Sequence, residues 1–510
     1  MTSPLSRRDF LKAAGLLPLG MSLAPLLHRV GPTRAAAGNA PNVLVVVFDA
    51  LSAFHLPFLG YGRETTPNIS KLLERAIVYH NHHAGGNFTT PGTASLLTGT
   101  LPWTHRAFQL NGTVAEPFAH RTLFQGFSGH YRFAYSHNPL ANTLLKQFTT
   151  DMDEFVPQTR LFLTSDPLVH SVLSADEDIA DVGWTRAMKK EEEGFAYSLF
   201  LSELYKKYIR ARVEGIAQQF PRGVPSIRGD NFFLLEDAID WLQSEVPKLP
   251  QPFAGYFHMM PPHAPCSTHR DFFRAFADDG YVAPAKPPNP FSGVSTEAEL
   301  DRQRVAYDEY ILYLDREFKR LFDYLDGAGV LSNTWVVFTS DHGELFERGI
   351  RGHISPLLYQ PVVRVPLLIF EPGRTARLDV HAPTSAIDIL PTLLHLGGEE
   401  PAGWTEGRIL PPFSLEEPDL ERDIFAVHAK ENDPEKALTH ATALLVRGRH
   451  KLMYFFGYEE LGEGVARVEL YDLQNDPEEL RDIFREQAAL GKELLDALKT
   501  KLREVDAPYV

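Results

Sequence analysis

Val43-Leu44-Val45-Val46-Val47-Phe48 is an unbroken apolar run that ends on an acid, Asp49. A second run of this kind, Thr334-Trp335-Val336-Val337-Phe338-Thr339, leads into Ser340-Asp341-His342-Gly343, and a third spans Val365 to Phe370. Such runs are too short for buried helices. Their β-branched content predicts strands covered on both faces, as in a parallel sheet. Amphipathic stretches between them, Phe232 to Leu242 and Val305 to Leu325, predict helices packed on that sheet. The pattern is α/β, with ligands expected at the carboxyl ends of the strands. Two strands far apart in sequence, each delivering an acid, predict one site built across much of the chain.

The pattern changes twice. From Phe155 to Arg228 the sequence turns charged and helix-rich, with Glu191-Glu192-Glu193 and Lys206-Lys207. That composition fits a solvated helical insertion and equally a lid over the substrate cleft. The Pro-rich stretch Pro284 to Pro290 reads as a loop. Beyond Pro401 to Pro418, three short strands (Thr442 to Val446, Lys451 to Phe456, Ala466 to Tyr471) and a helix from Pro477 to about Glu504 predict a small C-terminal α+β subdomain. The expected organisation is a large catalytic domain over 41–405, with the insertion at 155–228, and a subdomain over 420–510.

The first 37 residues stand apart. Ser6-Arg7-Arg8-Asp9-Phe10-Leu11-Lys12 precedes a modest apolar stretch, Ala13 to Leu27, and Arg34-Ala35-Ala36-Ala37 follows. Paired arginines ahead of a short apolar region and a small-residue cleavage site are the pattern of a twin-arginine export signal. The stretch is broken by Gly15, Pro18 and Gly20 and falls short of the ~20 residues that span a bilayer. The expectation is cleavage, passage through the twin-arginine machinery and a periplasmic or extracellular protein without stable membrane insertion. Removing residues 1–37 takes away five basic residues and one acid, moving the net charge from −16 to −20. That balance argues against a nucleic-acid-binding surface. In 510 residues with 44% hydrophobic and 23% charged positions a globular core is assured. The single cysteine, Cys266, excludes an internal disulfide and a cysteine zinc cluster.

The chemistry concentrates in Asp49, Thr89, Asp341 and His342. Carboxylates and an imidazole at strand ends suit zinc, manganese, magnesium or calcium, although an Asp-His pair also serves as a helix cap. In Asn87-Phe88-Thr89-Thr90-Pro91-Gly92-Thr93-Ala94-Ser95-Leu96-Leu97-Thr98-Gly99 a Thr-x-Pro turn opens a short helix. A hydroxyl there meets the positive end of the helix dipole, which favours an anion. A free threonine is a poor nucleophile at neutral pH, and metal coordination makes its alkoxide accessible.

These segments are similar to the sulfatase branch of the alkaline phosphatase superfamily, from end to end. Pro41 to Asp49, Gly60-Tyr61-Gly62 and Thr66-Pro67-Asn68 resemble its opening strand and loop. Thr89 to Gly99 resembles its nucleophile signature, Cys/Ser-x-Pro-x-Arg ending in Leu-x-Thr-Gly, with Thr89 at the nucleophile position. Ser340-Asp341-His342-Gly343, Arg364-Val365-Pro366-Leu367, and Leu470-Tyr471-Asp472-Leu473 with Asp476-Pro477-Glu478 resemble its later motifs in order. The resemblance implies an alkaline phosphatase-like fold, a small anionic ester substrate and one divalent metal ion held by Asp49, Thr89, Asp341 and His342.

The departures sharpen that implication. Sulfatases oxidise the signature Cys or Ser to formylglycine, which threonine cannot give, so no formylglycine is expected. Cys266, in Cys266-Ser267-Thr268-His269-Arg270, lacks the proline and lies far from the signature. Thr93 replaces the signature arginine, Ala50 the second acid of the Asp-Asp pair, and His342 the family's asparagine. No Gly-Lys-Trp-His motif stands near His137-Asn138. Together these resemble the phosphodiesterase, phosphonate-hydrolase and phospho-transferase members. The expected function is phosphate-ester hydrolysis, of a phosphodiester or a phosphonate monoester, with Thr89 as nucleophile. Sulfate-ester hydrolysis without formylglycine, transfer to an alcohol acceptor and a non-catalytic binding role on the same scaffold are the rivals. By the same resemblance His263, in Pro262-His263-Ala264-Pro265, contacts the substrate or leaving group, His353 sits where the family binds the anion, and both are expected to be catalytic. Asn87 is grouped with them as a substrate contact. His258 is placed as a second-metal ligand or a packed histidine, and His80, His82 and His83 carry no assignment.

Overall fold

Phe48, Phe318 and Phe338 meet in the middle of the molecule, where the first apolar run of the chain lies between two others. A computed structural model describes residues 40–163, 207, 210–227 and 231–510. The expected export signal and most of the 155–228 insertion, including its lid reading, therefore lie outside the described residues. The strands are, in chain order, β1 (Asn42–Phe48), β2 (Ile77–Tyr79), β3 (His82–His83), β4 (Tyr131–Ser136), β5 (Glu154–Phe155), β6 (Phe253–Met259), β7 (Thr334–Thr339), β8 (Leu345–Glu347) and β9 (Ile350–Gly352). They continue as β10 (Leu367–Phe370), β11 (Leu378–Val380), β12 (Thr384–Ser385), β13 (Ile424–His428), β14 (Ala441–Arg447), β15 (His450–Phe456) and β16 (Arg467–Asp472). The helices that matter for the site are α1 (Thr89–Thr98), α2 (Pro139–Gln147), α3 (Leu235–Glu245), α4 (Glu297–Gly327), α5 (Ile389–Gly397) and α6 (Ala488–Asp506).

An eight-stranded sheet has the order β11-β2-β10-β7-β1-β6-β4-β5. Every pairing in it is parallel except those of β10, which runs antiparallel to both β7 and β2. β1 lies between β6 and β7 in parallel register, with Val47 opposite both His258 and Thr339. The residues that follow all three strands thus emerge at one sheet edge. The continuous apolar pattern has its cause in the layers. Leu44, Val46 and Phe48 pack on one face with Tyr307, Leu314 and Phe318 of α4. Val43, Val45 and Val47 pack on the other with Ile389, Leu390 and Leu393 of α5. α4 opens with a capping box in which the Thr296 hydroxyl accepts from Glu299 N and Glu299 accepts from Thr296 N.

The C-terminal part is a four-stranded antiparallel sheet, β13-β14-β15-β16. Leu494, Leu498 and Leu502 of α6 cover one face, and Leu345, Leu358 and Val362 pack against the other. The final helix begins at Ala488, not at Pro477 as expected. Between them the Asp476 carboxylate takes the amides of Leu480 and Arg481, and Asp482 that of Phe484. Glu479 adopts the left-handed conformation, φ +54°, which no helix continues through.

Candidate functional site

Asp49 is aimed by the turn that follows it. Its amide donates to Met259 O at 2.9 Å, keeping the β1–β6 ladder to the last residue. Ala50 then turns left-handed at φ +61°, a conformation that costs an L-residue roughly 1–2 kcal/mol. The turn is held from α4, where Tyr307 Oη donates to Ala50 O at 2.6 Å and accepts from Ser52 N at 2.9 Å. The second strand end clamps it too, with Ala50 N on Asp341 Oδ1 at 3.3 Å and Leu51 N on Ser340 Oγ at 2.8 Å.

Asp49, Asp341 and His342 come together, fully buried, with one ligand atom from each within 4.8 Å of the others. Asp49 Oδ2 accepts from Asn138 Nδ2 and stands 3.2 Å from His258 Nε2. Asp341 Oδ1 accepts from two backbone amides, Ala50 and His342. The other two oxygens, Asp49 Oδ1 and Asp341 Oδ2, are buried without a hydrogen-bond donor. His342 Nδ1 donates to Gly343 O at 2.8 Å, which turns Nε2 toward both oxygens, 3.5 Å from each. Hard oxygens and one imidazole nitrogen, oriented and otherwise unpartnered in a buried setting, fit a divalent cation.

Electrostatics agree with that fit. Burial pushes the Asp341 carboxyl up and Asp49 beside it pushes it further. Burial also opposes the charge on Asp49, but His263, His258 and His342 hold its carboxyl well below the usual range. Burial opposes charge on His342 as well, yet Asp341 and Asp49 pull it up to about 9. The two carboxylates thus favour positive charge at this point, as a bound cation would supply it.

Thr89 is the first residue of α1, preceded by extended Phe88. Its Oγ1 stands 3.5 Å from His342 Nε2 and accepts from Asn138 Nδ2 at 3.2 Å. Gly92 makes this approach possible, because a Cβ there would meet Asp341 O at 2.3 Å. Asn138 is a residue the sequence reading missed. Its Oδ1 caps α2 through the amides of Leu140 (2.7 Å) and Ala141 (3.3 Å), which fixes its Nδ2 on Asp49 and Thr89 together. Asn-Pro ahead of an apolar stretch signals the cap, but nothing local tells what the other end of the amide touches.

The histidines separate by environment. His258 reaches the cluster from β6, with Nε2 3.7 Å from Asp341 Oδ2 and Nδ1 3.1 Å from Tyr256 Oη. His353 is brought to His342 (ring centroids 4.3 Å) and to His263 (5.0 Å). His353 Nδ1 is fixed by Glu344 Oε2 at 3.0 Å, a buried partner the sequence reading did not single out. His263 is half-buried, with Nδ1 donating to Ala264 O at 2.7 Å. Asn87 is placed differently from the substrate-contact expectation. Its Nδ2 donates to the carbonyls of His353 (2.5 Å) and Ser355 (2.7 Å), and its Oδ1 accepts from His428 Nδ1 (2.9 Å), so its amide braces loops and has no donor left for a ligand. His82 and His83 are packed residues whose pKa burial pushes down to about 3. Cys266 is buried, with its thiol pushed up to about 12, first by burial.

Residues 41–399 match the sulfatase family, and residues 355–507 match the N-sulphoglucosamine sulphohydrolase C-terminal family. Among curated relatives, a choline-sulfatase of Rhizobium meliloti is 24% identical over 87% of this chain and 82% of its own. The multifunctional alkaline phosphatase superfamily protein PehA of Trinickia caryophylli is 27% identical over 74% of this chain and 77% of its own. Among solved structures, a phosphonate monoester hydrolase of Agrobacterium radiobacter superposes with a TM-score of 0.65 at 20% identity, covering 92% of this chain and 96% of that one. By its sequence match, its fold and its ordered motifs, the chain belongs to the sulfatase family of alkaline phosphatase superfamily hydrolases.

Proposed function

We propose that this hydrolase cleaves a phosphorus ester, a phosphodiester or a phosphonate monoester, with Thr89 as nucleophile. The observation that carries the reading is the position of Thr89 Oγ1, at the head of α1, held by Asn138 and facing His342 beside two buried carboxylate oxygens that have no donor. Threonine cannot be converted to formylglycine, and the lone cysteine, buried and hydrogen-bonded to Pro262 O, stands outside the cluster. A divalent cation bound by Asp49, Asp341 and His342 would polarise the non-bridging oxygens and favour the alkoxide. The head of α1 presents amides to the phosphoryl oxygens. Thr89 Oγ1 bonds to phosphorus as the bond to the departing alkoxide or phenoxide breaks, and water later releases the phosphoryl group in the same manner. His353, with Nδ1–H on Glu344, presents Nε2 as the atom that exchanges a proton, and half-buried His263 stands on the solvent side to protonate the leaving oxygen. We further propose export through the twin-arginine route to the periplasm or beyond, on the N-terminal pattern alone.

Sulfate-ester hydrolysis is the second reading, favoured by relatives such as the choline-sulfatase. A turnover panel on the protein lacking residues 1–37 separates them, with zinc, manganese, magnesium or calcium supplied. The substrates are p-nitrophenyl phosphate, its bis ester, a phenylphosphonate ester and p-nitrophenyl sulfate. Turnover of a phosphorus ester well above the sulfate is expected. A sulfate preference would overturn the proposal.

A further inference from the structure

Outside the carboxylate cluster, a cavity of about 310 Å³ opens between Phe54, Gln360, Arg364, His381 and Arg449. Arg364 forms part of its wall. The Arg364 Nε and Nη2 both donate to a single carbonyl, His80 O, at 3.1 and 2.7 Å, and the guanidinium lies over the Phe54 ring at 5.6 Å. Among the described residues no carboxylate pairs with it and its Nη1 has no acceptor. Burial alone acts on its charge, and holds its pKa below the usual arginine range. On the same wall Gln360, 2% exposed, keeps its Nε2 buried without an acceptor. Arg449 and His381 add further donors, His381 stacked on His80 at 4.4 Å. The acids nearby are already taken. Asp379 holds His80 and a bidentate Arg377, and Asp472 holds Asn475 and, at 3.5 Å, Arg449.

A half-buried guanidinium with no carboxylate partner and a buried amide N–H without an acceptor, both lining one cavity, make a setting that favours negative charge. We propose that this cavity binds a tetrahedral oxyanion, a phosphate or sulfate group, at a site separate from Thr89. The planar fork of Arg364 takes two oxygens, and Arg449 closes over the outer face. The same segment is tied by its backbone to both loops of the carboxylate cluster, with Ala53 N on Arg364 O (3.0 Å) and Gly343 N on Val362 O (2.8 Å).

The test is a calorimetric titration of the full chain carrying Thr89→Ala, with metal supplied, using inorganic phosphate, inorganic sulfate and a phosphomonoester in separate runs. Arg364→Gln is expected to weaken one binding event on the order of tenfold or more. Arg449→Gln, half-exposed and safe for folding, is expected to weaken the same event severalfold and leave ester turnover in the otherwise wild-type chain unchanged. Equal effects on the free anion and on the monoester support a site for a phosphoryl or sulfuryl group on a larger ligand. An effect on the free anion alone supports a site for the ion itself. Titrations with all three ligands that Arg449→Gln leaves unchanged would overturn the proposal, as would a folded Arg364→Gln protein that binds like its parent.

Discussion

Two buried sets of charges in this protein are alike in depth and opposite in completeness. Around Lys451, which has no exposed surface, every carboxylate oxygen has a donor. Glu479 Oε1 takes Lys451 Nζ and its Oε2 takes Gln360 N at 2.6 Å. Glu469 Oε1 takes Asn289 and Arg467, and its Oε2 takes Tyr359 and Tyr471. Around Asp49 and Asp341 the burial is the same, but Oδ1 of one and Oδ2 of the other have no donor. Leaving such groups unmatched costs about 1–3 kcal/mol each, more for a charge. The first set spends its charges on fixing the C-terminal sheet to the rest of the fold, while the second leaves two oxygens that fit the cation proposed above. Completeness, more than burial, distinguishes structural from functional charge here.

The largest expected break in this contrast is Thr89→Ala. Turnover should fall by on the order of 10³-fold or more with cation affinity and thermal unfolding little changed, as a rate and melting measurement on one preparation would show. Lys451→Met strands the Glu479 carboxylate and should lose about 3–5 kcal/mol of stability, with kcat per folded molecule retained. Asp341→Asn should do the reverse. It relieves two crowded carboxylates, so the metal-stripped protein should gain about 1–2 kcal/mol while cation binding collapses. Chemical denaturation beside a metal titration separates the two effects.

The smallest effect is in pH. The His342 pKa is raised from 6.5 to about 9 in the folded chain without a cation, so its contribution is complete below pH 6.5 and is lost as pH rises toward 9. Lys451 goes the other way. Burial, against Glu479, pushes it from 10.5 down to about 8, so its penalty fades as pH rises from about 8 to above 10. The melting temperature of metal-stripped protein should therefore fall between pH 6.5 and 8, and a saturating divalent cation should abolish that fall.

The strands that carry Asp49 and Asp341 were legible because burial on both faces leaves a continuous apolar run, and the helix at Thr89 because Thr-x-Pro is local chemistry. The fold class follows from those same runs. What stayed hidden depends on tertiary placement. Asn138 reads as a cap, and it is the β4–β6 and β6–β1 pairings together that bring that cap to Asp49. Glu344 gains its role from a loop that returns His353 to it. Asn87 stands two residues from Thr89, yet the chain turns its amide toward the His353 and Ser355 carbonyls, so nearness in sequence misled. The last helix was drawn too long because Asp476 and Asp482 satisfy the backbone of a loop that composition alone does not distinguish from a first turn.

We propose that the unmatched oxygens of Asp49 and Asp341, with His342, bind a divalent cation. A calorimetric titration of metal-stripped protein with manganese at pH 7.5, repeated in buffers of different ionisation enthalpy, tests it most directly. One cation per chain, bound with release of about one proton from His342 and abolished by Asp341→Asn, is the predicted result. Absence of binding, or binding that Asp341→Asn leaves untouched, would contradict it.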